Sequence, residues 1–214
     1  RIGGRAVFLE VKQAAACVQA LDRLGRLLET ILKSAAGQKA GAPDLRRLEP
    51  LVEPALRPLL RRRQIWEAVE GLFALDPFQK QKIWDSFQND MAFPQHISDK
   101  AYRLSRLSDL SQQGAKAFRK LCESLYEVVR TGIPAPVGGP GKEPFTLRTL
   151  RESYQEENGA LGRVCPACVR QTLFDASEGE IDHYFPKSQH PALAFHPCNL
   201  RPSCSDCNGP AMKG

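Results

Sequence analysis

The sequence contains no run of about 18 apolar residues, and Arg, Lys or Glu interrupts its apolar stretches within roughly one helical turn. It therefore offers no membrane-spanning helix. Its first residues lack the charged, apolar, then small order of a secretory signal, so a cytoplasmic site is the default expectation. No internal repeat with a period of about 20 to 50 residues is visible. A phosphate-cradling loop is missing as well. Gly141-Lys142 imitates its end, but Pro136 occupies the position of the first required Gly and Glu143 replaces the Ser or Thr that would bind magnesium. An even cysteine count is also absent, because seven cysteines leave one over in any closed disulfide framework.

What is present is a folded chain of ordinary composition. Its 214 residues suit one large domain or one domain with a small companion. With 42% hydrophobic and 25% charged residues, disorder, collagen and a simple coiled coil are poor readings. The net charge is +6 and the pI about 9.0, a balance that suits a polyanionic partner. This charge is unevenly divided. Residues 151–214 hold six Lys or Arg and eight Asp or Glu, a balance of −2, which leaves +8 in residues 1–150.

Residues 1–131 read as an α-helical region that binds DNA or a partner. From Val11, the apolar positions Val11, Ala14, Val18, Leu21, Leu24, Leu28, Ile31 and Leu32 recur at spacings of three and four, and Gly37 with Gly41-Ala42-Pro43 stops that helix. Pro50, Pro54 and Pro58 predict a split second region whose clean part runs from Leu59 to Phe73. Asp76-Pro77 opens a further helix that carries Phe78, Ile83, Trp84 and Phe87 toward a core. Ser98 and Ser111 are expected caps of the next two, the second running through Phe118, Leu121, Leu125 and Val128. Basic residues for a phosphate backbone would come from Arg61-Arg62-Arg63, Lys80, Lys82, Arg103, Arg106, Lys116, Arg119 and Lys120. The segment Gly132–Pro144, with four Gly and four Pro in 13 residues, predicts a linker over 132–145, read as a boundary or an ordered loop between two modules. A module over 146–214 follows, led in by a helix that Thr146 caps and Asn158-Gly159 ends, with short strands at Gln171–Phe174 and Glu180–Phe185.

Five of the seven cysteines lie in that module. Cys165-Pro-Ala-Cys168 is followed after 35 residues by Cys204-Ser-Asp-Cys207. Two such turns brought together complete a tetrahedral four-thiolate site for Zn²⁺, closed to substrate and therefore structural. Cys198 is left as a small buried residue.

Between and beyond the cysteine pairs stand Glu180-Ile-Asp182-His183-Tyr-Phe-Pro-Lys187-Ser188, then Asn199-Leu-Arg201, then Asn208 directly after Cys207. The Asp-His-x-x-Pro-x-Ser run, the middle Asn and the last Asn beside a knuckle resemble the HNH endonucleases of the ββα-metal fold, in their zinc-stabilised branch. The resemblance covers about residues 165–214 and implies a mainly α N-terminal region followed by a small α+β nuclease module. It implies His183 as general base, a task suited to an imidazole at neutral pH. It also implies Asp182 and Asn208 as ligands of one catalytic Mg²⁺ or Mn²⁺, and Asn199 as the residue that holds the loop and orients His183. Asn208 stands where the family often has His, which favours hard, oxygen-loving ions. Lys187 and Arg201 are candidates for holding the scissile phosphate. Glu180 is a candidate auxiliary ligand, while His190 and His196 are loop residues with a mainly structural reading.

The implied activity is hydrolysis of DNA phosphodiester bonds with one metal ion, in a restriction or phage-defence setting, with RNA not set aside. Two alternatives remain open: a zinc-dependent nucleic-acid or protein-binding module without catalysis, and a nuclease subunit active only with a partner such as an ATPase. The chain stops six residues after Asn208, where the family's terminal helix usually continues, so truncation there is expected.

Overall fold

Leu21, Leu24, Leu28, Ile31 and Leu32 are all fully buried, so the apolar stripe read from the first segment is the inner face of a real helix. That helix is α1 (Ala15–Ala36) in the computed structural model, which describes residues 12–38, 41–96, 98–136, 143–169 and 180–208. Val11 and the strand expected at Gln171–Phe174 lie outside the described residues, as do Gly141 and Lys142. The proline-rich stretch breaks into α2 (Leu45–Leu48), 3-10 turns at Glu49–Leu51 and Pro54–Leu56, and α3 (Arg57–Leu60). The helix expected over Leu59–Phe73 is itself interrupted at Arg61-Arg62 and resumes as α4 (Arg63–Phe73). Pro58 can only sit in a first turn, and it fixes the start of the short helix that ends there.

Asp76 caps α5 (Pro77–Met91) by accepting from the Gln79 N–H at 2.9 Å. Ile83 and Phe87 turn inward, but Phe78 is 69% exposed, one turn off the core-facing stripe. Ser98 caps no helix: the described residues from Ser98 to Arg106 are turns and extended chain, leading to a 3-10 turn at Leu107–Asp109. Ser111 accepts from the Gly114 N–H at 3.1 Å and opens α6 (Gln112–Thr131). α4 packs along α6 and α1 along α5, so α1, α4, α5 and α6 share one core.

Gly132 leaves α6 at φ +120°, a backbone that L side chains rarely adopt, and a Cβ there would meet the Pro144 Cβ at 2.9 Å. The expected linker is tied at its ends. Ile133 and Phe145 exchange two backbone hydrogen bonds, of 2.8 and 3.0 Å, and both are buried. Their side chains belong to the helical core, so apolar burial overrides the turn-forming composition around them.

Thr146 then caps α7 (Leu147–Asn158), which Gly159 ends at φ +53°. β1 (Glu180–His183) and β2 (Leu200–Ser203) form a two-stranded antiparallel sheet in which Glu180 faces Ser203, Ile181 faces Pro202, Asp182 faces Arg201 and His183 faces Leu200. α8 (Ser205–Asn208) follows β2 and packs on β1. Between the strands, the 3-10 turn Pro191–Phe195 inserts Ala192, Ala194 and Phe195 against α5 and α6. One hydrophobic core thus runs from Cys17 on α1 to Leu200 on β2. Among the described residues no helix is long and apolar enough to cross a membrane.

Candidate functional site

Two loops bring the four cysteines together. The first, Cys165–Cys168, is closed by the Val169 N–H bonding to the Cys165 carbonyl at 2.8 Å, with Val169 at φ 59°. The second runs from the end of β2 into α8, where the Cys204 N–H points at Cys165 Sγ from 3.5 Å. All four sulfurs lie within 4.8 Å of one another, and Cys168 Sγ is 3.9 Å from Cys204 Sγ. Tetrahedral zinc with Zn–S bonds of about 2.3 Å sets its sulfurs roughly 3.8 Å apart, so the spacing fits such an ion. Burial, followed by hydrogen bonding among the neighbouring thiols, raises Cys207 far above an ordinary thiol, and burial likewise raises Cys204. Four thiolates packed this closely call for a cation, and the cluster can hold a metal ion such as zinc. Tyr154 of α7 packs on Cys165 and Cys204. Gly162 permits the approach that puts it there, since a Cβ at Gly162 would fall 2.6 Å from the Gln155 Cα.

Pairing of β1 with β2 sets the other residues on two faces. Glu180 and Asp182 share one face with their cross-strand partners Ser203 and Arg201. His183 shares the opposite face with Leu200, which is fully buried. The His183 Nε2 lies 2.9 Å from the Ala194 carbonyl, and its ring stands 5.1 Å from that of Tyr126 on α6. A carbonyl can only accept, so Nε2 carries the ring proton and Nδ1 is the basic nitrogen of the neutral imidazole. Asp182 Oδ1 accepts the backbone N–H of His183 at 2.8 Å, which fixes the start of the loop after β1.

Asn199 is fully buried and holds that loop. Its Oδ1 accepts the Phe185 N–H at 2.6 Å, and its Nδ2 donates to the carbonyls of Phe185 (3.1 Å) and Leu193 (2.8 Å). The Leu193 carbonyl neighbours the Ala194 carbonyl that receives His183, so one amide links the loop bearing His183 to the turn that orients its ring. At the other end of the sheet, Asn208 donates from its amide nitrogen to Glu180. α8 therefore carries the last motif residue back to the strand that bears Asp182.

Lys187 lies with Nζ 4.6 Å from the centre of the Tyr126 ring, on the His183 side, and helps line a cavity of ≈ 350 Å³ with Glu123, Glu127 and Arg130. The Arg201 guanidinium sits 4.9 Å from the Tyr184 ring on the Asp182 side. His190 donates from Nδ1 to the Ser105 carbonyl at 2.8 Å, and His196 accepts the Cys198 N–H at 3.2 Å. Burial depresses the pKa of both histidines, which keeps them neutral structural groups.

Two sequence expectations are corrected here. Cys198 is exposed: the 3-10 turn Pro197–Asn199 points Asn199 inward and so turns its neighbour out. Lys80 is only 2% exposed and cannot meet a phosphate. Its ammonium donates to the carbonyls of Gln38 (2.8 Å) and Phe73 (3.5 Å), the latter at the C-terminal end of α4 where a cation is favoured. Elsewhere Arg61 pairs with Glu49, and Arg63 and Lys120 with Glu67, which offsets part of the helical region's positive charge.

Tyr126 and Tyr154 were not legible as site residues. Both fall on apolar helix faces, where periodicity assigns them to packing alone. Burial raises the pKa of each, so both remain neutral phenols. Comparison with known proteins finds no matching family model, no matching curated protein and no matching solved structure. The functional reading rests on the residues themselves.

Proposed function

We propose that this chain is a metal-dependent phosphodiester hydrolase. More particularly, we read it as an HNH endonuclease of the zinc-stabilised branch that cuts DNA in restriction or phage defence. The observation that carries the reading is the gathering of Asp182-His183, Asn199 and Asn208 around one short hairpin, beside a four-cysteine cluster.

The oxygen donors on the hairpin suit a hard divalent ion. Asp182 supplies a carboxylate, and the Asn208 amide nitrogen already donates to Glu180, so its amide oxygen is the donor for a cation. Asp182 and Asn208 would hold Mg²⁺ or Mn²⁺, with Glu180 as a neighbouring carboxylate. Such an ion, when bound, stabilises negative charge on the phosphate and on the departing 3′ oxygen. The Ala194 carbonyl and the Tyr126 ring fix the imidazole, and Nδ1 of His183 takes the proton of the attacking water. The water oxygen forms a bond to phosphorus as the bond to the 3′ oxygen breaks. Solvent protonates the 3′ oxygen, and the product ends in a 5′ phosphate. Arg201, on the Asp182 side, would hold the scissile phosphate as a charged donor, while Lys187 adds positive charge on the His183 side beside Tyr126.

Purified protein supplied with Mn²⁺ or Mg²⁺ is expected to nick plasmid DNA, and His183→Ala to lose at least about 100-fold in rate while keeping its zinc. Equal behaviour of wild type and His183→Ala on every DNA form and metal sinks the catalytic assignment and selects a binding module. Cutting that appears only when a partner such as an ATPase is added selects a licensed subunit.

A further inference from the structure

A groove of ≈ 1190 Å³ opens between the β1–β2 hairpin, where Tyr184 and Arg201 line it, and the extended chain ahead of α6. Two ring platforms line it. Tyr184, 49% exposed, carries the Arg201 guanidinium over its face, and His96 stacks on Tyr102 with centroids 4.5 Å apart and planes within 6°. Arg103 and Arg106, both exposed, add charge along the same wall. The two carboxylates of the lining are committed to local backbone. Asp99 accepts the Ala101 N–H at 2.8 Å, and Asp109 accepts the Arg106 N–H at 2.8 Å. The wall has a fixed frame: Asn89 donates to the Arg103 carbonyl at 2.9 Å, and Asp90 accepts the Ser105 N–H at 2.8 Å.

We infer that this groove binds a single-stranded polynucleotide, with bases stacked on Tyr184 and Tyr102 and phosphates held by Arg103, Arg106 and Arg201. Flat aromatic faces interleaved with guanidiniums are what splayed bases and their phosphates require. A duplex keeps its bases stacked inside and offers such platforms nothing. Arg201 faces Asp182 across the hairpin, so a strand held by Arg201 lies across one residue pair from the carboxylate assigned to the metal. The inference deepens the nuclease reading and rests on it for the outcome of binding, not for binding itself.

The test measures binding by fluorescence anisotropy on the zinc-loaded chain in buffer without Mg²⁺, Mn²⁺ or chelator. The probes are labelled thymidine and uridine oligomers of about 15 nucleotides and a duplex of the same length. Both single strands, or one of them, are expected to bind at least about tenfold tighter than the duplex, and their ratio identifies the preferred sugar. Tyr184→Ala is expected to weaken single-strand binding about tenfold, and Tyr184→Trp to retain it. Arg103→Ala with Arg106→Ala should lower the salt slope by about 1.4, independently of any effect of the Tyr184 change on folding. Duplex binding as tight as single-strand binding, or single-strand binding indifferent to all these changes, overturns the proposal. Adding Mn²⁺ separates the two readings. Groove-dependent binding without cleavage defeats the nuclease assignment alone, and cleavage indifferent to Tyr184→Ala defeats the groove alone.

Discussion

The helical body and the hairpin that bears Asp182 and His183 are held by different forces. α1 buries Leu21, Leu24, Leu28, Ile31 and Leu32, and α6 buries Phe118, Leu121, Leu125 and Val128. Each such side chain contributes about 1.5 to 3 kcal/mol of burial. The hairpin has two strands of four residues each, too short to stand alone in water. It is held instead by a buried amide, by the four cysteines at its far end and by the Pro191–Phe195 turn that docks in the body's core. The body is stabilised by area and the hairpin by a few directional bonds. Loss of one contact should therefore spread differently in the two.

The largest contrast should come from the metal cluster. Cys204→Ser, or chelation of the bound ion, is expected to abolish zinc binding and release amide protection over residues 180–208, while α1 and α6 stay protected. Structural zinc sites supply on the order of 10 kcal/mol or more of folding energy. Hydrogen exchange followed by mass spectrometry reads this directly, and uniform loss of protection in both regions breaks the comparison. Leu28→Ala is the counterpart in the body. It should cost about 3 kcal/mol in urea unfolding with zinc content unchanged, because a cavity in a helical core does not reach the sulfurs.

Asp90 sharpens the comparison through pH. Burial raises its carboxyl to about 7, against the opposing effect of the Ser105 N–H and with a smaller push from Asp109. The native state thus keeps a proton that the unfolded chain releases nearer the ordinary 3.8, and its stabilising effect is present below that value and lost as pH rises toward 7. Asp90→Asn should remove about 2 kcal/mol of the stability difference between pH 5 and pH 8, measured by thermal unfolding at both. An unchanged difference shows that Asp90 titrates normally. An effect of similar size is expected for Asn199→Ala, about 2 kcal/mol from three lost hydrogen bonds with partial rescue by water. Its signature is local: the Tyr184–Phe185 loop gains exchange while zinc stays bound. Global unfolding at the same denaturant concentration argues that Asn199 supports the whole core.

Much of the helical body was legible. The three-and-four spacing of α1 and α6 survives in their buried faces because an apolar stripe on a helix has only one place to go. Caps at Asp76, Ser111 and Thr146 were readable because each supplies a side-chain oxygen to an orphan N–H close in sequence. Ser98 failed for the same local reason: a cap needs a helix to follow it, and the chain there spends its backbone groups elsewhere. Arg23 was invisible. Its bonds to Glu53 and to the Pro134 carbonyl join residues 30 and 111 positions away, and no periodicity encodes that.

The cysteine spacing by itself determined that four sulfurs could meet, since two C-x-x-C turns each present a pair of thiols and need only be brought together. Only the tertiary structure decided that His183 is gripped by a carbonyl of the Pro191–Phe195 turn and by Tyr126 from α6, and that Lys80 is buried with its ammonium on the Gln38 and Phe73 carbonyls. The reason is range. Capping, turns and amphipathic faces are satisfied within a few residues, whereas a site's orientation depends on contacts between segments that the linear order keeps far apart.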